Sequence, residues 1–168
     1  KRIIISAGRL ERQKNQRMLI DAFAQVAGRF PEYELHIYGE GSLRPDLEAQ
    51  IQNSGLSGRV LLPGSRPDYQ ERLREAEIFA LSSDYEGLSN ALLEAMMLGL
   101  PCVSTDCAGS DEVIVSEENG LLSPAGDAKA FAGALSRLIE DEGLRQKIGA
   151  AATETARQFE TGNVISAW

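Results

Sequence analysis

The 168-residue sequence is 43% hydrophobic, which is enough apolar material for one domain with a substantial core. Its 17 Lys and Arg residues stand against 25 Asp and Glu residues, and the formal net charge is -8. This charge disfavours nucleic acid and anionic membrane surfaces as partners, because the protein as a whole repels polyanions. A small anionic ligand would need a local group of donors instead.

Two cysteines, Cys102 and Cys107, stand close together in the sequence. If the run between them is even partly extended, their Cα atoms lie too far apart for a disulfide, which favours a reduced, cytoplasmic protein. We recognise no signal peptide and no apolar run of membrane-spanning length. The sequence begins at Lys1 without an initiator Met, and we therefore expect natural sequence upstream of it.

The chain alternates short β-branched runs with segments of helical apolar spacing. The first strand is predicted over residues 2–7, and the first helix over residues 15–29. The same unit recurs, with predicted strands and helices at 33–38 and 43–53, 59–62 and 69–75, 78–82 and 89–98, and a strand at 101–105 before a helical segment around Ser110. A last strand is predicted at residues 121–122, ahead of two packing helices over 127–140 and 144–159.

Such alternation specifies a parallel sheet with helices on both faces, so the predicted fold class is α/β, a doubly wound, Rossmann-like sheet. In these sheets ligands bind in the crevice outside the carboxyl ends of the strands. The loops after the predicted strands carry glycine and polar residues, whereas the loops at the opposite pole have fewer such features. We expect one ligand-binding edge, in one domain that comprises residues 1–168.

The segment from Glu86 to Glu94 is the most informative about chemistry. Gly87 lets the backbone approach a ligand, and a helix that opens near Ser89 presents positively polarised amides to phosphate oxygens. Glu94 falls in a helix that is apolar nearly all round and is therefore predicted to be buried, where a sugar diol would satisfy its carboxylate. On the alternative interpretation, Glu86 only complements the helix dipole and Glu94 is bonded to neighbouring backbone.

This segment, Glu86-Gly87-Leu88-Ser89-Asn90-Ala91-Leu92-Leu93-Glu94, resembles the E-x7-E motif of family 4 glycosyltransferases (glycosyl transferases group 1), which are retaining enzymes of the GT-B fold. Residues 6–10, followed by Lys14-Asn15, look like that family's diphosphate-gripping loop. Residues 108–112 stand where members often carry G-G-x-x-E, but Ala108 replaces the first glycine, and we carry no role onto that loop.

The resemblance extends from Ile3 to about Asn163. It implies that the chain is the C-terminal, nucleotide-sugar-binding half of a GT-B enzyme, and that the N-terminal acceptor domain is absent from it. The expected activity is metal-independent transfer of a hexosyl unit, with retention, to an acceptor such as a growing glycan or a lipid-linked saccharide. UDP is the favoured nucleotide over GDP and ADP. The isolated domain should be inactive, and any membrane proximity would come only through the absent domain.

By the same resemblance, Glu86 would hold hydroxyls of the donor hexose and Glu94 the ribose hydroxyls. Arg9 and Lys14, in the loop that starts at Gly8, would neutralise the diphosphate as it becomes the leaving group, and preorganised cations stabilise such developing charge. On the alternative interpretation both cations are solvated surface charges. The expected catalytic residues are Glu86, Arg9 and Lys14; the expected donor-binding residues are Gly8, Arg9, Lys14, Ser65, Arg66, Glu86, Gly87, Leu88, Ser89 and Glu94.

The nucleotide base is expected near Ser65 and Arg66, with its edge read by backbone groups. Arg66 could equally be a surface cation. Gly39 and Gly41 form a flexible loop at the same edge, but they lack the third glycine and the position after the first strand that a dinucleotide fingerprint requires.

The sequence has few of the residues that other catalytic classes require. His36 is the only histidine and is expected to be a buried or half-buried strand residue, so hydrolytic triads and zinc sites are disfavoured. No Asp-x-Asp pair occurs, and Asp84 and Glu86 have no histidine or cysteine beside them in the sequence. The sequence therefore gives only weak support for a metal site.

Two alternative functions stay open. A GT-B epimerase or phosphorylase shares the architecture, although the E-x7-E arrangement argues against it. A non-catalytic, flavodoxin-like interaction module is the other, but a phospho-receiver should place an acidic residue at the end of the first strand, where this chain has Gly8 and Arg9.

Overall fold

The computed structural model describes residues 1–107 and 109–159. A 3-10 turn, Arg12–Lys14, follows the first strand. The strands and helices, in chain order, are β1 (Arg2–Ala7), α1 (Gln16–Ala27), β2 (Tyr33–Tyr38), α2 (Arg44–Asn53), β3 (Val60–Gly64), α3 (Tyr69–Glu75), β4 (Ile78–Leu81), α4 (Asn90–Met97), β5 (Cys102–Thr105), β6 (Leu121–Ser123), α5 (Ala128–Glu140) and α6 (Glu142–Gln158).

The strands form one parallel six-stranded sheet in the order β3-β2-β1-β4-β5-β6. The order runs outward in one direction from β1 to β3 and in the other from β4 to β6, so the direction of winding reverses between β1 and β4. A crevice opens at such a switch point, at the carboxyl ends of the two strands. The predicted doubly wound α/β class is confirmed, and the switch point marks where to look for a ligand.

Both faces of the sheet are covered, because adjacent residues of each strand point to opposite sides. Ile4 of β1 belongs to the core cluster under α1 and α5, together with Phe23 and Phe131. Ile5, the next residue, belongs to the cluster under α4 and α6. The helices pack in pairs over these clusters, α1 on α5 and α4 on α6. Burying each large apolar side chain contributes roughly 1.5–3 kcal/mol.

The predicted helical segment around Ser110 is wrong, since this stretch is a series of turns. The amides of Ser110 and Val113 bond to carbonyls three residues back, and an α-helical ladder does not develop. The Ser110 hydroxyl, which is buried, lies 2.7 Å from the hydroxyl of Ser104 at the end of β5. This bond anchors the turn to the sheet instead of allowing a helix to extend.

The predicted final helix begins two residues earlier than expected. The side chain of Asp141 accepts a hydrogen bond from the Leu144 amide at 2.9 Å and caps α6, which therefore starts at Glu142. Ala108 and Asn163, which the family resemblance named, lie outside the described residues.

Two arginines at the pole opposite the switch point satisfy backbone carbonyls at helix ends. Arg59 donates to the carbonyls of Ala27, the last residue of α1, and Phe30, just beyond it, both at 3.1 Å. Arg145 is 9% exposed and donates to the carbonyls of Leu138, at 2.6 Å, and Ile139, at 2.8 Å, in the last turn of α5. The sequence pattern gave no sign of either bond.

Cys102 and Cys107 are free thiols, as predicted, and the structure shows that both are buried. Burial raises the pKa of the Cys102 thiol above its ordinary value. Across the described 1–107 and 109–159, no helix has both the length and the apolar character that a membrane crossing needs.

Candidate donor site at the switch point

The loops that follow β3, β2 and β1 are stacked on one another through glycines. The amide of Gly39 donates to the carbonyl of Gly64 at 3.1 Å, and Gly39 has a φ of 133° that favours glycine. A Cβ on Gly39 would collide with the carbonyl oxygen of Gly8. The three loops therefore form one continuous surface at the carboxyl edge of the sheet.

The loops that follow β4 and β5 are joined in the same way. The amide of Gly109 donates to the carbonyl of Glu86 at 3.0 Å. A Cβ on Gly109 would collide with the carbonyl of Gly87. The position of Glu86 and Gly87 thus depends on a glycine that lies beyond β5.

The two halves of this edge meet at the switch point through a pair of opposite charges. The ammonium of Lys14 donates to Oε2 of Glu86 at 2.6 Å, and the side chains of Lys14 and Glu86 are only 19% and 11% exposed. The hydroxyl of Ser83 donates to the same oxygen at 3.0 Å. The stem of Lys14 passes over Gly8, where a Cβ would lie 3.4 Å from Cδ. The sequence singled out Lys14 and Glu86 separately, and the structure brings them together.

Three more hydrogen bonds connect the same two loops. The hydroxyl of Ser82 donates to the carbonyl of Lys14 at 2.9 Å, and the amide of Asp84 donates to the carbonyl of Gln13 at 2.9 Å. The carboxamide of Asn15 donates to Oδ1 of Asp84 at 2.8 Å. Sequence reasoning missed these contacts; the only signal was an Asn directly before a helical segment, which is typical of an N-cap.

Arg9 is exposed, while its backbone carbonyl accepts a hydrogen bond from a buried side chain. The buried side chain of Gln16 donates from Nε2 to the Arg9 carbonyl at 2.9 Å. Gly8 and Arg9 contribute to two cavities of about 380 Å³ each. One of these, which we call the phosphate cavity, is lined by Gly8, Arg9, Glu11, Gln13 and Lys14. Both cations predicted to grip a diphosphate therefore line one cavity.

The second cavity, which we call the aromatic cavity, lies on the β2 and β3 side of Gly8 and Arg9. Tyr38 and Tyr69 contribute their rings, which meet edge to face with centroids 5.2 Å apart. The rest of the lining is Ala7, Gly8, Arg9, Gly39, Glu40, Ser65 and Arg66. Ser65 and Arg66, predicted to lie near a base, thus share a cavity with Arg9.

Tyr69 lines the aromatic cavity, whereas Glu94 lines neither cavity and acts on the Tyr69 hydroxyl only through its charge. Its hydroxyl oxygen is buried and has no hydrogen-bond partner among the described residues. Burial, with the nearby carboxylate of Glu94 as a further cause, raises the pKa of the Tyr69 hydroxyl far above its ordinary value. The hydroxyl is therefore a neutral donor that lies within electrostatic reach of a carboxylate.

The prediction that Glu94 is buried is wrong, since its side chain is exposed. Helix α4 packs inward through Leu92, Ala95 and Met96, and Glu94 lies on the remaining, outward side. Its Oε2 accepts from Nε2 of Gln70 at 2.8 Å. The alternative interpretation, in which neighbouring backbone satisfies Glu94, is also wrong, because the bond comes from a side chain of α3.

Helix α4 begins as the sequence predicted. Ser89 is 8% exposed, and its hydroxyl accepts from the amide of Leu92 at 3.1 Å, which is an N-cap. Leu88 and Gly87 are exposed in front of it. A Cβ on Gly87 would meet no described atom within 4 Å, so the packing of the described residues does not require glycine there.

Two carboxylates at the cavity rims already have donors. Glu11 accepts from the amide and the hydroxyl of Ser42, both at 2.8 Å, and these bonds hold the pKa of the Glu11 carboxyl below its ordinary value. Glu40 accepts from Nε of Arg44 at 2.9 Å. Arg44 therefore offsets the charge of Glu40, whereas Glu11 bonds only to neutral groups and stays a negative charge at its cavity rim.

Comparison with known proteins gives the family. The family model described as glycosyl transferases group 1 matches residues 1–155. The chain belongs to this family. The lipopolysaccharide core biosynthesis glycosyltransferase LpsE of Rhizobium meliloti is 33% identical over 153 residues, which are 91% of this chain and 44% of LpsE. The chain thus spans less than half the length of this curated relative.

Solved structures place this group 1 glycosyltransferase chain in the C-terminal half of the GT-B fold, as expected. The C-terminal domain of the group 1 protein LpcC from Francisella tularensis superposes with a TM-score of 0.86 and 26% identity, over 96% of this chain and 86% of that one. Anabaena HepE in complex with UDP-glucose gives a TM-score of 0.86 and 26% identity, over 99% of this chain and 49% of HepE.

Two further positions of the group 1 glycosyltransferase chain that the sequence singled out are Arg66 and His36. Arg66 is half exposed and pairs with Asp68 at 3.1 Å, so it is both a surface cation and a cavity residue. His36 is a half-buried strand residue, as predicted, with Nε2 2.9 Å from Glu34. Within the described part of the chain, no three His, Cys, Asp or Glu side chains gather as a metal site would require.

Proposed function

We propose that this chain is the donor-binding domain of a retaining, family 4 glycosyltransferase that transfers a hexosyl unit from a UDP-sugar. One observation carries the proposal: Arg9 and Lys14 line one cavity at the switch point, and Lys14 contacts the first glutamate of the E-x7-E motif. In doubly wound sheets this crevice is where nucleotides bind.

The phosphate cavity fits the diphosphate. Lys14 and Arg9 supply charge-assisted donors, which form stronger bonds to phosphate than neutral groups do. The polarised amides at the start of α4, behind Gly87 and Leu88, are a further source of donors. Because these groups are held by the fold before a donor arrives, they stabilise the negative charge that develops on the departing diphosphate.

Glu86 would receive hydroxyls of the hexose. Its Oε2 accepts from Lys14 and Ser83, while among the described residues no donor bonds to its second oxygen, Oε1, which leaves acceptor capacity for sugar hydroxyls. Lys14 in turn would bridge the diphosphate and Glu86. The same pair of side chains would then contact the hexose and the diphosphate on the two sides of the glycosidic bond that breaks.

The aromatic cavity suits the nucleoside. Tyr38 and Tyr69 give it an apolar wall, and Ser65 and Arg66 offer polar groups at the rim. Glu94, which accepts from Gln70, the residue after Tyr69, would accept from the ribose hydroxyls. The complex of HepE with UDP-glucose supports UDP as the nucleotide of a similar protein.

The whole enzyme would need an N-terminal domain for the acceptor. LpsE and other curated relatives are more than twice as long as the part that this chain matches. We therefore expect the isolated chain to bind donor without turnover, and we expect the complete enzyme to act without a metal ion. An acceptor such as a growing glycan or a lipid-linked saccharide, and a cytoplasmic location, remain predictions.

Calorimetric titration of the 168-residue chain tests the donor assignment. UDP should bind more tightly than GDP or ADP, and Arg9→Ala and Glu94→Ala should each weaken binding by about tenfold, the expected loss of one charged hydrogen bond. Arg12→Ala is the matched control, since Arg12 is exposed in the same loop and lines neither cavity. Absence of UDP binding at millimolar concentration, or equal affinities for all the variants, would refute the assignment.

The stereochemical part needs the complete enzyme. Proton NMR of the reaction should show a product with the anomeric configuration of the donor. An inverted anomer would overturn the retaining assignment, and a free epimerised sugar without transfer would favour the epimerase alternative.

A further inference from the structure

We propose that Asn15 is a positioning residue that sets Lys14 against Glu86 by tying the β1 loop to the β4 loop. The importance of this for donor binding rests on the proposed function, whereas the geometry that it controls is measurable without a nucleotide.

Asn15 uses both ends of its carboxamide. Its Oδ1 accepts from the amide of Met18 at 3.2 Å and caps α1, while its Nδ2 donates to Oδ1 of Asp84 at 2.8 Å. Its backbone has a φ of 46° and a ψ of 49°, the left-handed conformation, which Asn adopts more readily than most residues. One side chain therefore joins the start of a helix to a loop that lies far away in the sequence.

The tie acts directly on the neighbouring Lys14. The carbonyl of Lys14 accepts from Ser82, and the carbonyl of Gln13 accepts from the amide of Asp84. With Asn15 bonded to the Asp84 side chain, the backbone on both sides of Lys14 is fixed to the end of β4. Glu86 follows in the same loop, so the distance between the two charged side chains is set by these bonds.

Asparagine is the residue that serves all these purposes. Glycine would adopt the backbone conformation but would lose the cap and the tie. Aspartate would keep the conformation and the cap, but its carboxylate has no donor and would face the carboxylate of Asp84. Asn15→Asp thus breaks the tie alone, and adding Asp84→Asn supplies an amide that restores it in the opposite direction.

The first readout needs no nucleotide. The rate at which an amine-specific reagent labels Lys14, followed by mass spectrometry, reports how well its ammonium is held and shielded by Glu86. We expect Asn15→Asp to raise this rate several-fold, and the double variant Asn15→Asp/Asp84→Asn to return it to the wild-type value. Lys147, which is exposed on α6, is the internal control and should label equally in all variants.

The second readout is UDP affinity, which should fall by about tenfold in Asn15→Asp and recover in the double variant. Asp84→Asn alone should bind as the wild type does, because its amide oxygen can still accept from Asn15. If UDP fails to bind the wild type while the labelling pattern holds, the proposed function fails and the positioning role stands.

The positioning role is overturned if Asn15→Asp leaves the Lys14 labelling rate unchanged, or if the double variant does not restore it. A lower unfolding midpoint with unaltered labelling also overturns it, because Asn15 would then serve stability only. Asn15→Gly supplies a second test should Asn15→Asp fold poorly, and it too should speed the labelling of Lys14.

Discussion

The ammonium of Lys14 lies 2.6 Å from Oε2 of Glu86, although 72 positions separate them in the chain. The pair joins the loop after β1 to the loop after β4, the two strands between which the sheet reverses its winding. Both side chains are largely shielded from water, so the interaction is stronger than that of an exposed ion pair. An anionic ligand that binds here competes with Glu86 for Lys14, or accepts a second hydrogen bond from the same ammonium.

The change Glu86→Gln should have different effects on the binding of UDP and on the additional binding of the hexose. Without the carboxylate, the backbone of Lys14 stays tied to the β4 loop while its ammonium loses a competing partner, so we expect UDP to bind as tightly as before or more tightly. The additional affinity of a UDP-hexose over UDP should fall, because the amide accepts sugar hydroxyls less strongly. Calorimetry with both ligands measures the difference, and Glu118→Gln, at an exposed position, is the control. A loss of UDP affinity in Glu86→Gln would contradict the assigned roles.

The change Lys14→Met should weaken UDP binding by about tenfold or more, since a charged hydrogen bond contributes roughly 1.5–3 kcal/mol. The remaining affinity should also depend less on salt, because one cation no longer faces the diphosphate. Titrations at low and high ionic strength check both effects. Lys147→Met removes the same charge from an exposed site on α6 and should change neither. Equal behaviour of the two variants would mean that Lys14 does not face the ligand.

The change Glu94→Gln should reduce discrimination between UDP and 2′-deoxy-UDP. If Glu94 accepts from the ribose, the variant loses the charged hydrogen bond between the carboxylate and the 2′-hydroxyl. The ratio of the affinity for UDP to the affinity for 2′-deoxy-UDP should then fall by about tenfold. Competition of the two nucleotides in one titration measures the ratio. An unchanged ratio would place the ribose elsewhere.

Two glycine-to-alanine changes should have opposite effects on stability. Gly109→Ala puts a Cβ against the Gly87 carbonyl, so it should lower the free energy of unfolding and shift the loop that carries Glu86. Gly133→Ala lies on an exposed face of α5 with no described atom within 4 Å, and it should raise stability by about 1 kcal/mol. Urea denaturation gives both values. The prediction fails if Gly109→Ala matches the wild type in both stability and UDP affinity.

The change Arg145→Met should destabilise the domain without affecting the ligand. It leaves the carbonyls of Leu138 and Ile139 buried without their donor, which costs about 2–4 kcal/mol. Arg137→Met breaks an exposed pair with Glu117 and should cost less than about 1 kcal/mol. Chemical denaturation compares the two variants, and UDP affinity at low temperature should equal that of the wild type. Similar losses in both would show that burial does not control these bonds.

Much of the fold follows from local sequence pattern, because the β-branched runs and the apolar spacing repeat in a regular alternation. The runs that became β1 and β2 were predicted at their observed bounds. The segment around Ser110 was misjudged because its apolar residues support either turns or a helix, and the Ser104–Ser110 bond that decides the outcome is a tertiary contact. Tertiary contacts are not encoded in periodicity.

The candidate site was predictable as residue types but not as geometry. Arg9, Lys14 and Glu86 stand out because they lie in glycine-containing loops after strands, yet only the sheet order brings Lys14 to Glu86. Glu94 was expected to be buried because an eight-residue helix gives too few turns for its inward face to be recognised in an apolar run. The Asn15–Asp84 bond depends on a left-handed residue, which a propensity argument does not locate.

A crystal structure of this chain with a bound UDP-hexose would show directly which side chains contact the donor. We predict diphosphate oxygens within hydrogen-bond distance of both Arg9 and Lys14, the hexose against Glu86, and the ribose against Glu94. A nucleotide sugar bound away from the crevice between β1 and β4, or one that contacts neither cation, would contradict this prediction.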